Sequence, residues 1–207
     1  MKNLSLEQVI FDGSKVSDAV FTVTAATDLV TSAAHGFTGG ELVQLTTATT
    51  LPAGLSLATN YYVINPTTDT FQLSVAPGGS AVDITDTGTG AHTLHVKGRI
   101  VYVGDWEHLN LSLNFISSPT MTVKFQGSHS LDAPDFNAAQ AYTNRWDYLD
   151  VTDEQNGTSV DGDTGVACAG TADDRLFSVS VKGLTYLTAI TSGWSAGKID
   201  LRAKMYN

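Results

Sequence analysis

An all-β protein of antiparallel sheets is what this sequence predicts, a sandwich with a smaller β-module inserted near its N-terminus. Three observations carry that expectation. Apolar residues recur at alternate positions, as in Leu109, Leu111, Leu113 and Phe115 against Asn110, Ser112 and Asn114. Successive side chains of a strand face opposite ways, and an antiparallel sheet with one wet side yields this clean alternation. Turn signals such as Gly39-Gly40, Pro52-Ala53-Gly54, Asn65-Pro66, Pro77-Gly78-Gly79 and Asn156-Gly157 interrupt the pattern at short intervals. Charged residues make up only 15% of the chain. Threonine, serine and glycine stand in their place, a poor composition for long helices.

The elements follow in chain order. Residues 6–11 hint at helix but are too short to stand alone, and residues 1–19 otherwise supply an arm or an edge strand. Strands are expected at 21–25, 29–32, 41–46, 61–65, 70–75, 82–85 and 93–96, all within a Thr-, Ala- and Gly-dominated stretch. Alternation then predicts strands at 109–115, 121–125, 177–181 and 199–205. Residues 135–141, which follow Pro134, suggest one or two helical turns. The composition shifts near Val20 and again near Lys97, and all three tryptophans lie beyond the second shift. The reading is a docking sandwich of residues 1–19 and 97–207, with residues 20–96 as a Thr-rich projecting module. Two sequential domains are the simpler alternative. Insertions of this kind succeed where both ends meet at a loop tip.

Charge excludes some functions. The 207-residue chain has 11 Lys and Arg against 21 Asp and Glu, a formal net charge of −10. Phosphate-backbone binding needs clustered cations, so no nucleic-acid partner is expected, and an acidic exterior repels anionic membranes. No apolar run reaches the length of a membrane span, and the N-terminal residues lack the apolar segment of a signal peptide. A soluble protein made in a cytoplasm is expected.

Candidate chemistry is sparse. Cys168, the single cysteine, reads as a small buried thiol. Gly193-Trp194-Ser195-Ala196-Gly197 fits the nucleophile-elbow spacing, but an elbow needs a helix after it. Here an alternating strand follows, so the motif reads as a hairpin loop. Ser128, His129, Ser130 and Asp132 offer triad residue types side by side, yet neighbours in a strand point to opposite faces. Seven acids between Asp150 and Asp174 include Asp161-Gly162-Asp163-Thr164-Gly165. The twelfth position of that loop is Ala172 where a calcium loop of the EF-hand type needs Glu, which leaves a loop-built calcium site open. His35 has no partner at ligand spacing and reads as structural. Neither a metal nor a cofactor is expected. Trp106, Trp146, Tyr148 and Trp194 lie in or beside expected strands. They read as core packing or, alternatively, as an interface or carbohydrate platform, because Trp and Tyr are enriched at such surfaces.

One resemblance covers roughly residues 28–95. The stretch "AAHGFTGGELVQLTTATTLPAGLSLATNYYVINPTTDTFQLS" and the later "DITDTGTGAHTL" resemble a small β-module that recurs in structural proteins of tailed bacteriophages. Its carriers are the His-Gly-Phe turn, the Leu-Pro-Ala-Gly-Leu crossing, the Tyr-Tyr-Val-Ile and Thr-Phe-Gln-Leu strands, and the Thr-Gly-Thr-Gly-x-His turn. In layout, residues 97–207 are similar to phage head-decoration proteins of jelly-roll type. The resemblance implies a jelly-roll-like sandwich and a non-enzymatic virion protein that stabilises the capsid. Its partners would be the major capsid protein and further copies of itself, a trimer at the capsid's three-fold positions. A tail adaptor or host-surface glycan-binding module is the alternative, and a glycan hydrolase or esterase the third reading.

Overall fold

The computed structural model describes residues 5–16, 18–136, 138–170 and 173–207. Every strand pairing among them is antiparallel. Their one helical element is a three-residue 3-10 turn, Ala25–Thr27. The chain forms two compact units, Met1–Gly13 with Gly98–Asn207, and Ser14–Lys97. The boundaries differ from the 19/20 and 96/97 positions read from composition. The smaller unit's first strand begins at Asp18, ahead of the Thr-rich stretch, so residues 14–19 belong to that unit and Lys97 closes it.

β1 (Ser5–Phe11) belongs to the larger unit, and the helical hint at 6–11 is corrected by its antiparallel ladder with residues 201–206. The next six strands make the smaller unit. They are β2 (Asp18–Thr24), β3 (Leu29–Thr31), β4 (Leu42–Thr47), β5 (Tyr61–Ile64), β6 (Thr70–Ser74) and β7 (His92–Val96). They close into a barrel in the order β2-β3-β6-β5-β4-β7, which leaves no free sheet edge. The alternation explains the closure. Phe21, Val23, Val43, Leu45, Tyr61, Val63, Phe71, Leu73 and Leu94 all turn inward into one core, while the intervening threonines face water.

No strand forms at 82–85, although Ile84 is buried. The backbone there is satisfied one group at a time: Val82 N–H donates to Leu73 O (2.8 Å), Ile84 N–H to Asp28 Oδ1 (2.8 Å) and Thr85 N–H to Ala53 O (3.0 Å). A segment that serves three different partners cannot keep a ladder.

The larger unit continues with β8 (Val101–Tyr102), β9 (His108–Ser128), β10 (Asp147–Tyr148), β11 (Val151–Asp153), β12 (Thr158–Val160), β13 (Val166–Ala169), β14 (Asp174–Val179) and β15 (Tyr186–Tyr206). The sheet order is β1-β15-β9-β14-β11-β12, with β10 and β13 also paired to β9 and β8 to β15. β9 and β15 are each 21 residues long. The strands expected at 109–115 and 121–125 are therefore the two halves of β9. A straight strand of that length would run about 70 Å. β9 cannot be straight, because Phe125 packs on Phe177 at 5.8 Å and Phe177 pairs with Leu111. The ribbon folds over on itself, and its two halves become the two sheets of a jelly-roll-like sandwich around one core.

The fold-over point is visible in the register. Ser192 pairs with Thr122, Ala196 with Thr120 and Lys198 with Ile116. β15 carries two extra residues in the first interval and β9 two in the second, so the bulges cancel. The bulge on β9 holds Ser117 and Ser118 at φ 56° and 51°; that on β15 holds Gly193 at φ 63°, and Gly197 at φ 77° lies opposite the β9 bulge. Gly197 is forced twice over, because a Cβ there would sit 2.3 Å from Pro119 Cα. The Gly193–Gly197 motif is thus a bulge within a continuous strand, not the hairpin loop its sequence suggests.

Candidate functional site

The stretch that reads most like a ligand loop is structural. His35 is fully buried. Its Nδ1 accepts the Phe37 N–H at 2.9 Å, and its ring stacks on Phe37 (4.7 Å) and meets Phe71 edge-on (5.1 Å). Nearby, Glu41 accepts bonds from Thr38 N–H (3.0 Å), Gly39 N–H (2.9 Å) and Lys15. Burial opposes the Glu41 charge, but Lys15 and the backbone donors outweigh it and hold the carboxyl at about 2. The Pro52-Ala53-Gly54-Leu55 crossing and the Thr87–Gly90 turn interlock. Ala53 N–H and Gly88 N–H both donate to Asp86 Oδ1 at 2.8 and 2.9 Å, and these bonds lower the Asp86 pKa.

The barrel also holds a constellation that sequence spacing concealed. Asp18 Oδ1 lies 2.7 Å from His95 Nδ1, and His95 Nε2 lies 2.8 Å from Thr46 Oγ1. Carboxylate, imidazole and hydroxyl stand in triad order, contributed by three adjacent strands whose register sets Asp18 and Gln44 on either side of His95. The row belongs to neither groove described below, and it serves as a cross-strand bond holding the fully buried Asp18. One groove of about 620 Å³ lies on the barrel, lined by Val20, Phe21, Thr31, Ala33, Gly90 and His92 among others.

In the sandwich the candidate side chains are committed individually. Ser128, the last residue of β9, is buried and donates to Arg145 O at 2.5 Å. His129 Nδ1 lies 2.5 Å from Gly183 O, so no triad assembles with Asp132. Three of the acids of 150–174 serve the local backbone, and one of these also pairs with Arg175. Asp150 Oδ1 accepts Gly162 N–H and Asp161 Oδ1 accepts Thr164 N–H, both at 2.9 Å, while buried Asp153 pairs with Arg175. Among the described residues no group of three or more His, Cys, Asp or Glu side chains converges; Thr171 and Ala172 lie outside them. Cys168 is buried beside Val166, and burial pushes its thiol up to about 12, with Arg175 opposing and Asp173 adding to the shift.

The four aromatics separate into two groups. Trp106 and Trp194 are half-buried and lean on the sandwich core, Trp194 donating Nε1–H to Gly197 O at 3.1 Å. Trp146, on the segment joining β9 to β10, meets Tyr148 of β10 edge to face at 5.5 Å. The helical turns expected at 135–141 are absent there, with Asn137 outside the described residues. Asn144 organises the segment instead, donating through Nδ2 to Asp135 O (2.8 Å) and Ala139 O (3.2 Å) and accepting Asp135 N–H through Oδ1 (2.9 Å). Trp146 Nε1–H donates to Ala138 O at 3.0 Å, above buried Phe136. Between this segment and the end of β9 runs a groove of about 600 Å³ lined by His129, Ser130, Gln140, Arg145, Trp146 and Asp147, with others. On the same segment Leu131 is 93% and Tyr142 85% exposed, with the Arg145 guanidinium 4.5 Å over the Tyr142 ring. Tyr186 donates to Leu131 O at 3.1 Å and meets Tyr102 at 5.6 Å. Sequence reading singled out Trp146 and Tyr148 but missed Arg145, Gln140 and Tyr142, which sit in an irregular loop where periodicity is silent.

No family model and no curated protein matches the chain. Two crystal structures resemble it. The SPBc2 prophage-derived protein YomS covers 54% of this chain and 80% of its own at 14% identity and TM-score 0.38. The K1 cleaved adhesin domain of Lys-gingipain from Porphyromonas gingivalis W83 covers 99% of this chain and 98% of its own at 13% identity and TM-score 0.32. At such values neither likeness bears on function. No helix among the described residues is long and apolar enough to cross a membrane.

Proposed function

We propose that this protein is a non-enzymatic structural component of a tailed-phage virion, a decoration protein that binds the outer shell and stabilises the head. One observation supports the reading above others. Each motif that resembles the phage module has a job in closing the barrel: the His35 stack, the Pro52–Leu55 crossing against the Thr87–Gly90 turn, and the inward Tyr61, Val63, Phe71 and Leu73. The shared pattern is therefore a folding pattern, as suits a rigid display module with no reaction to perform. The sandwich would contact the major capsid protein, and many copies on a lattice turn modest contacts into durable attachment. A trimeric assembly fits three-fold capsid positions. The test is co-sedimentation of the purified chain with empty capsids and, in parallel, with host cells. Saturable capsid binding that raises the temperature of shell rupture supports decoration, and binding to cells alone contradicts it.

A second reading, a tail adaptor or host-surface glycan binder, is favoured by the aromatic groove beside Trp146.

A further inference from the structure

We infer that the groove between the end of β9 and the 129–147 segment binds an uncharged oligosaccharide. The inference deepens the second reading, that of a host-surface glycan binder, and rests on it.

The volume of about 600 Å³ falls within the range of small-ligand sites, which run roughly from 300 to 1,000 Å³. The lining combines the indole of Trp146 with polar side chains that include His129, Ser130, Gln140, Arg145 and Asp147. Their charges decide the ligand class. Among the described residues Arg145 makes no ion pair. It donates through Nε to Tyr142 O at 3.1 Å, and that bond leaves the other guanidinium N–H groups as donors. Asp147 stands on the same groove as a carboxylate, accepting Gln140 Nε2–H at 3.1 Å and Tyr148 N–H at 2.9 Å, with acceptor capacity left over. An anionic ligand would gain Arg145 but confront Asp147, and a cationic one the reverse. A polyhydroxylated, uncharged ligand meets both on good terms, because each sugar hydroxyl donates and accepts, while the apolar face of the ring packs on Trp146.

The lining is also held in advance. The indole is fixed by its bond to Ala138 O, by Tyr148 and by Phe136. Gln140 is anchored to Trp146 O at 2.7 Å. Asn144 ties the segment together beneath them. A site fixed before binding loses little rotamer entropy when it fills. Tyr142 and Leu131, exposed on the same segment, extend the contact surface for a chain longer than one sugar.

The test uses the full chain and four probes: N,N′,N″-triacetylchitotriose, maltotriose and mannotriose as uncharged trisaccharides, and sialyllactose as an anionic one. Backbone amide shifts are read by NMR titration, and self-association by sedimentation velocity. At least one uncharged trisaccharide should shift amides at 127–130 and 140–149 saturably. Arg145→Ala should weaken that binding about tenfold and Trp146→Phe several-fold, with unchanged melting temperatures, while Leu57→Ser in the barrel should leave it intact. The inference is overturned if none of the three binds, if only sialyllactose binds, if binding survives both groove substitutions, or if the face instead joins two copies in a dimer that Tyr142→Ser dissolves. Whole-cell binding is measured alongside. Cell binding retained by Arg145→Ala leaves the host-surface reading standing and removes the groove from it, whereas no cell binding by the unaltered chain removes that reading itself.

Discussion

At the scale of single residues, the molecule's few unusual side chains are committed to holding it together. Glu41 illustrates this. Its carboxyl lies at about 2 against an ordinary 4.5, so its contribution is fully present above pH 4.5 and is lost as pH falls toward 2. At about 1.4 kcal/mol per unit, the upper bound is ~3 kcal/mol. Glu41→Gln should lower unfolding free energy by about 2–3 kcal/mol at pH 7, because nearly buried Lys15 then loses its counter-charge. The same substitution should flatten the acid limb of stability, and urea melts from pH 2 to 7 read both effects. Gly54 is as constrained by geometry: its φ is +99° and a Cβ would meet Asp83 O at 2.0 Å. Gly54→Ala should therefore cost at least about 2 kcal/mol, measured by thermal melts of the full chain. Cys168, with its thiol near 12, should react with an aromatic disulfide reagent only after denaturant is added. Rapid labelling of native protein would contradict the burial described.

At the scale of elements, the β9–β15 ribbon is the device that turns one long hairpin-like pair into two facing sheets. Because each bulge adds two residues, inward side chains stay inward on both sides of the bend. Gly197→Ala drives a methyl into Pro119 and should lower the sandwich's melting temperature by several degrees while the barrel's own transition stays put, as followed by calorimetry. Alternation made the two halves of each long strand legible in the sequence, since 109–115, 121–125 and 199–205 all lie within β9 and β15. Their fusion was not legible, because Gly193–Gly197 reads as a hairpin loop, a bulge uses the same residues as a turn, and alternation lapses at Ser117 and Ser118. The two- to four-residue strands β8 and β10 to β13 escaped because each is shorter than one clear period of alternation. The Asp18–His95–Thr46 row escaped for a different reason: strand register, not sequence distance, brings its members together. Trp146 and Tyr148 could be singled out by residue type alone, but the groove they line depends on Asn144, whose role emerges only once the loop is folded.

At the scale of the whole molecule, the two units have separate hydrophobic cores. In each, the two chain crossings are tied locally: Arg99 N–H donates to Ile10 O in the sandwich and Lys97 N–H to Leu42 O in the barrel. A barrel of Ser14–Lys97 excised from its host should fold alone, giving dispersed amide resonances and a cooperative melt, and a collapsed spectrum would contradict its independence. The net charge of −10 makes copies repel one another at long range, so a trimer on a particle would need close contacts, between copies or with the shell, that offset this repulsion. That places the central claim where one measurement reaches it, the position of this chain in intact phage particles by electron cryo-microscopy. Ordered copies at regular sites on the outer surface of the head are the expected result. Density confined to the tail, or a particle that lacks the chain altogether, would contradict it.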